Sequence, residues 1–201
     1  NSSTSYNMKK MKVGLFFGSF NPVHNGHLML ANYIVEYTDL DSLWFVVSPQ
    51  NPFKDKKSLL DDHHRRDMLE MAIENDDRFE VCDIEFYMPK PSYTIDTLVR
   101  LSERYPNYDF YLICGMDNLT NFKKWKNYQV ILDNYHLLVY PRKGYEGGDL
   151  LNHESVQVID APIIEISSTF IRKAVSENKD VRYFMPGKSY KYMTDMNFYR
   201  S

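Results

Sequence analysis

Short apolar runs of strand length and longer runs with helical spacing take turns along nearly the whole chain, and this alternation restricts the fold more than any other property of the sequence. Residues 13–17, 43–48, 79–82, 110–114, 136–140 and 156–159 read as strands. Residues 27–37, 61–73, 94–105 and 122–132 read as helical, and a last helix begins near Ser168. The order predicts an α/β protein, a three-layer α/β/α Rossmann-like fold whose mostly parallel sheet carries helices on both faces. Ligands of such sheets bind beyond the carboxyl ends of the strands, where the strand order reverses. At 201 residues the chain has the length of one domain, expected over 11–201, with the polar residues 1–10 as a tail or processing remnant.

Composition removes several function classes. The 24 Lys and Arg against 27 Asp and Glu leave a net charge of −3, which argues against a general nucleic-acid-binding surface. No apolar stretch is long enough to span a membrane and no signal-peptide core is visible, so the expectation is a cytoplasmic protein without a membrane partner. A homo-oligomer stays open. Cys82 and Cys114 both sit in apolar strand-like runs and read as small buried hydrophobes. Gly187-Lys188-Ser189 has the tail of a P-loop, but Arg182 stands where its first glycine belongs and no strand precedes it.

The first motif with chemistry is Phe17-Gly18-Ser19-Phe20-Asn21-Pro22-Val23-His24-Asn25-Gly26-His27, which joins a strand to a helix. Unpaired amides at such a helix start carry roughly +0.5 charge and attract phosphate. Gly18 and Gly26 let backbone come close to a ligand. His24 and His27, three apart, face the same space and offer donors to a polyphosphate whose charge moves during reaction. As a zinc pair they lack a third ligand at recognisable spacing.

A second motif, Ile166-Ser167-Ser168-Thr169-Phe170-Ile171-Arg172, places hydroxyls where a helix begins and an arginine one turn later. These residue types serve as ordinary caps, or as a grip for the phosphates of a nucleotide. Between the two motifs lie Ser92, Tyr93 and Thr94 at another helix start, suited to a small carboxylate or to plain capping. Asp117, in Gly115-Met116-Asp117, follows a buried strand and either accepts from ribose hydroxyls or caps a helix. Trp125 is a core residue or a flat face for a pyridine ring. The charged run 61–67 reads as the solvated face of a helix.

Both motifs resemble the signatures of the nucleotidylyltransferase superfamily, His-x-Gly-His and Ile-Ser-Ser-Thr-x-x-Arg, and Gly-Ser-Phe-Asn-Pro-Val-His looks most like the nicotinate mononucleotide adenylyltransferases of bacterial NAD synthesis. The resemblance extends from Met11 to the region of Met193. It implies transfer of AMP from ATP to nicotinate mononucleotide, with Mg2+ arriving on ATP and no protein metal cage. It implies ATP contacts from Gly18, Ser19, Phe20, His24, Gly26, His27, Gly115, Asp117, Ile166, Ser168 and Arg172, of which His24, His27 and Arg172 are catalytic. For the acceptor it implies Asn51, Lys54, Tyr93, Thr94, Asp117, Trp125 and Arg142. The chain departs from the pattern at Asn21, where many members carry Asp, and at Phe53, where His is common. Nicotinamide mononucleotide or phosphopantetheine as acceptor, and a non-catalytic nucleotide sensor on the same fold, are the alternatives.

Overall fold

The computed structural model describes residues 9–50 and 58–201. Six strands, β1 (Met11–Gly18), β2 (Ser42–Val47), β3 (Phe79–Cys82), β4 (Tyr108–Gly115), β5 (His136–Tyr140) and β6 (Val156–Val158), form one sheet in the order β3-β2-β1-β4-β5-β6. Every neighbouring pair is parallel. The helices are α1 (Asn25–Tyr37), α2 (Asp62–Ile73), α3 (Thr94–Arg104), α4 (Met116–Thr120), α5 (Tyr128–Asn134), α6 (Ser168–Ser176) and α7 (Gly187–Asp195).

The period-2 alternation of the strands divides the core into two layers. Val13 and Leu15 of β1 pack with Trp44, Val46, Phe110 and Leu112 under α3, α4 and α5. Phe16, Phe45 and Val47 point the other way and pack under α1, α2, α6 and α7. Because the chain runs from β1 out to β2 and β3 and then returns to β4 on the other side of β1, a crevice opens at the carboxyl ends of β1 and β4. The expected three-layer architecture is therefore the observed one.

Two details differ from the sequence reading. The helical stretch 122–132 is divided: a 3-10 turn over Phe122–Lys124 is separated from α5 by Asn127, whose φ of 51° breaks the helix. Helix α7, which begins at the P-loop-like Gly187, lies on α2 through a buried bond from Ser189 Oγ to the Met68 carbonyl at 2.6 Å. Cys114 is buried and its thiol is pushed up to about 12 by desolvation, in keeping with a packing role. Among the described residues no helix is long and apolar enough to cross a membrane.

Candidate active site

The turn between β1 and α1 builds the site from aromatic packing. Phe20 has a φ of 46°, a costly conformation for a side chain with a Cβ. It is held there by edge contacts with Phe16 at 5.7 Å, Phe45 at 5.6 Å and the His27 ring at 4.9 Å. His24 caps α1: its Nδ1 accepts from the His27 amide at 3.3 Å, while His27 Nδ1 accepts from the His24 amide at 3.1 Å. The two imidazoles stack with centroids 3.7 Å apart.

This reciprocal cap fixes the protonation of both rings. With each Nδ1 used as an acceptor, the proton of each neutral ring sits on Nε2. Burial lowers His24 to about 4, and burial together with the neighbouring His24 pushes His27 well below its usual value. At neutral pH the pair is thus two neutral rings, each with one Nε2–H donor. Gly26 is required by this arrangement, since a Cβ there would stand 2.9 Å from the His24 ring.

Both rings line a cavity of about 450 Å³ together with Gly18, Phe20 and Gly26 on one wall. The opposite wall is Tyr140 at the end of β5 with Pro141, Arg142 and Lys143 after it, and residues 162–168 leading into the first residue of α6. Ile166 and Ser168 of the second motif are therefore brought to the histidines across the whole length of the sequence. Within that motif the hydroxyls divide their work. Ser167 Oγ accepts from the Phe170 amide at 3.1 Å and caps α6, whereas Ser168 Oγ donates to the Pro22 carbonyl at 2.8 Å. Arg172 donates from Nη1 to the Asn21 carbonyl at 2.8 Å and from Nη2 to Thr169 Oγ1 at 3.3 Å.

The Asn21 side chain explains its own departure from the carboxylate pattern. It is 4% exposed, donates from Nδ2 to the Ser58 carbonyl at 3.0 Å, and accepts at Oδ1 from the Leu60 amide at 3.2 Å and the Tyr199 hydroxyl at 2.5 Å. An ionised carboxylate has no donor for Ser58, so this environment asks for an amide.

At the end of β4, Asp117 Oδ1 is buried and has no hydrogen-bond partner. A buried carboxylate oxygen left without a donor is uncommon in a folded protein. Gly115 makes room for it, because a Cβ there would collide with that oxygen and stand 3.0 Å from Arg142 Cγ. Tyr140, next to both, is pushed up to about 12 by burial and stays a neutral phenol.

A cytidylyltransferase-like family model matches residues 15–174. A Flavobacterium johnsoniae protein named probable nicotinate-nucleotide adenylyltransferase is 49% identical over 192 residues, covering 94% of this chain and 100% of the relative. One of the same name from Cytophaga hutchinsonii is 52% identical over 87% of this chain and 91% of its own length. The chain belongs to the nicotinate-nucleotide adenylyltransferase family. Its fold is also that of the Plasmodium falciparum nicotinic acid mononucleotide adenylyltransferase complexed with NaAD, with a TM-score of 0.77 at 21% identity over 94% of this chain and 97% of that one.

Of the acceptor residues expected in an adenylyltransferase of this family, Tyr93 and Thr94 stand at the start of α3, and Trp125 follows the 3-10 turn Phe122–Lys124. Tyr93 is the N-cap residue of α3 and Thr94 its first residue, and no side chain caps that helix. Ser92 does not offer its hydroxyl outward as expected: Ser92 Oγ donates to Glu85 Oε1 at 2.7 Å, and Thr97 Oγ1 donates to Glu85 Oε2 at 3.1 Å. Trp125 rests on Phe122 with centroids 4.8 Å apart. Its neighbour Lys126 lies 4.7 Å above the Tyr93 ring and pairs with Asp96 at 3.1 Å, which links the Trp125 turn to the start of α3. Tyr93, Thr94 and Trp125 do not line the cavity of the histidines, whereas Arg142 does. Asn51 and Lys54 lie outside the described residues.

Sequence reasoning missed several residues. Tyr140 is the last residue of β5 and Lys143 follows Arg142 just beyond it, positions at a strand's carboxyl end that signal a site wall. Glu85 and Arg65 gave no such signal. The solvated face expected for 61–67 fails at Arg65, whose side chain is wholly buried.

Proposed function

We infer that the protein transfers AMP from ATP to nicotinate mononucleotide in the cytoplasm, giving nicotinate adenine dinucleotide and pyrophosphate. The observation that carries this reading is the stacked pair His24 and His27, locked as neutral Nε2–H donors on the cavity at the carboxyl ends of a parallel sheet. An oxygen of the acceptor's 5′-phosphate attacks the α-phosphorus of ATP in line. The bond from that phosphorus to the β-phosphate oxygen breaks, and pyrophosphate leaves with the electron pair. The attacking phosphate is already ionised at neutral pH, so no side chain need serve as nucleophile or base.

Catalysis is then positioning and charge stabilisation. His24 and His27 donate to the α- and β-phosphates, and Arg172, whose fork carries five N–H groups, donates to the β- and γ-phosphates while bracing Asn21. Asp117 takes a ribose hydroxyl at its orphaned Oδ1. The uncapped start of α3 at Tyr93 and Thr94 receives the acceptor's carboxylate, and Trp125 its ring. Mg2+ fits as a companion of ATP: among the described residues the cavity wall carries one carboxylate, Glu165, which is paired with Lys143 at 3.6 Å. On ATP it would neutralise phosphate charge.

The test is pyrophosphate release from ATP and Mg2+ with nicotinate mononucleotide, nicotinamide mononucleotide and phosphopantetheine in parallel. A strong preference for the acid supports the whole reading. Preference for another acceptor keeps the phosphate site and removes the role given to Tyr93, Thr94 and Trp125, and silence with all three in a folded, ATP-binding protein favours a nucleotide sensor.

A further inference from the structure

Arg65 lies inside a helix beneath the phosphate-binding turn, 0% exposed, and it touches no ligand cavity. Buried arginines are rare because leaving water is costly for a charge, and they persist where their donors are fully used. Here Nη1 donates to the Ser19 carbonyl at 2.6 Å and to the Ser48 carbonyl at 2.8 Å. Nε donates to the Leu60 carbonyl at 2.9 Å, and Nη2 bonds the carboxylate of Asp62, which also accepts from the Gln50 amide at 3.1 Å.

The three carbonyls belong to residues at the ends of regular elements. Ser19 follows the last residue of β1, Ser48 follows the last residue of β2, and Leu60 precedes α2. The final backbone bond between the first two strands runs from the Ser48 amide to the Gly18 carbonyl at 2.9 Å. One step further along both strands, a single guanidinium nitrogen takes the carbonyls of Ser19 and Ser48. Arg65 thus acts as one more rung of the sheet at the point where the chain turns to present His24 and His27. On the far side of the same turn, Arg172 and Ser168 hold the carbonyls of Asn21 and Pro22.

We propose that Arg65 is a positioning residue for the reaction: it sets the phosphate-binding turn from below, so that the turn and its histidines meet the ATP polyphosphate without reorganising. The role requires arginine. A lysine keeps the charge but offers its donors from one nitrogen, which cannot span Ser19, Ser48, Leu60 and Asp62 together. The inference rests on the adenylyl-transfer reading for the identity of the ligand.

Arg65→Lys is the informative variant, compared with wild type for ATP and AMP affinity by calorimetry, for kcat and KM, and for Tm. The expected result is a folded protein in which ATP affinity and kcat/KM for ATP fall about 10-fold or more while AMP, which lacks the β- and γ-phosphates, binds within about 3-fold of wild type. A purely structural role would lower Tm and leave that ratio unmoved, and such a result overturns the proposal. Should Arg65→Lys fail to fold, Asp62→Asn releases the guanidinium from its orienting carboxylate, and the same loss of ATP over AMP is expected with smaller size; an unchanged ratio there overturns the proposal equally. A wild-type protein that binds ATP no tighter than AMP overturns the adenylyl-transfer reading itself and the role of Arg65 with it.

Discussion

At the scale of single residues, the histidine pair joins structure to chemistry most directly. Each imidazole spends one nitrogen on capping α1, so the helix end orients the donors and the donors stabilise the helix end. Removing a preorganised donor of this kind costs roughly 10²-fold or more in rate, and His27→Ala is expected to lower kcat by that factor in a pyrophosphate-release assay. Wild-type turnover in a folded His27→Ala protein would remove the catalytic assignment. The same burial makes stability depend on pH. His24 titrates near 4 in the folded protein against 6.5 for the free side chain, so below 6.5 the unfolded chain binds the proton first. The stabilisation is complete above pH 6.5 and is lost as pH falls through 4, by about 3 kcal/mol for this one group at about 1.36 kcal/mol per pH unit. His24→Asn keeps a capping side chain without the titration. Urea denaturation at a series of pH values should therefore give that variant a shallower loss between pH 6.5 and 4; an unchanged slope would place the dependence elsewhere.

At the scale of elements, Ser167 and Ser168 show how a capping motif and a ligand motif share a helix start. As residue types the two are indistinguishable, both being hydroxyls at a plausible N-cap, and only the family resemblance singled out Ser168. Geometry does: Ser167 caps α6, and Ser168 reaches 146 residues back to Pro22. Ser167→Ala is expected to cost about 0.5–2 kcal/mol of stability in denaturant, with a smaller effect on turnover. Ser168→Ala should show the reverse balance, losing more in kcat/KM for ATP than in stability, since it frees one carbonyl of the phosphate-binding turn. Equal profiles for the two variants would contradict this division. Elements with strong periodicity were legible in advance: all six strands, together with α1, α2, α3 and α6, lie where alternation and helical spacing put them. Helix α7 was not, because it starts at Pro186 and Gly187 without a capping side chain and its nine residues are mostly polar.

At the scale of the whole molecule, what stayed illegible is what depends on distant partners. The parallel sheet and the crevice follow from the order of strand and helix, and the motifs around His24 and Ser168 were visible as local patterns. Nothing local marked Arg65 as different from the charged neighbours around it, since its partners are 17 and 46 residues away at Ser48 and Ser19. Tyr199 is a still longer case. Near the end of the chain, it crosses 178 residues to donate to Asn21 Oδ1 in the first turn, and burial raises its hydroxyl so that it remains a donor at all physiological pH values. In this way the turn between β1 and α1 meets Tyr199 at one amide, that of Asn21. Tyr199→Phe removes one donor, but Oδ1 still accepts from Leu60, so the expected cost is about 0.5–1.5 kcal/mol. Deleting residues 198–201 takes the partly buried Phe198 ring from His64 and Tyr192 as well, which adds about 1.5–3 kcal/mol to the expected cost. Denaturant midpoints of the two variants measure the difference. If truncation costs no more than Tyr199→Phe, the end of the chain contributes one hydrogen bond; a several-fold larger loss makes it part of the packing that holds α2 and α7 beneath the site.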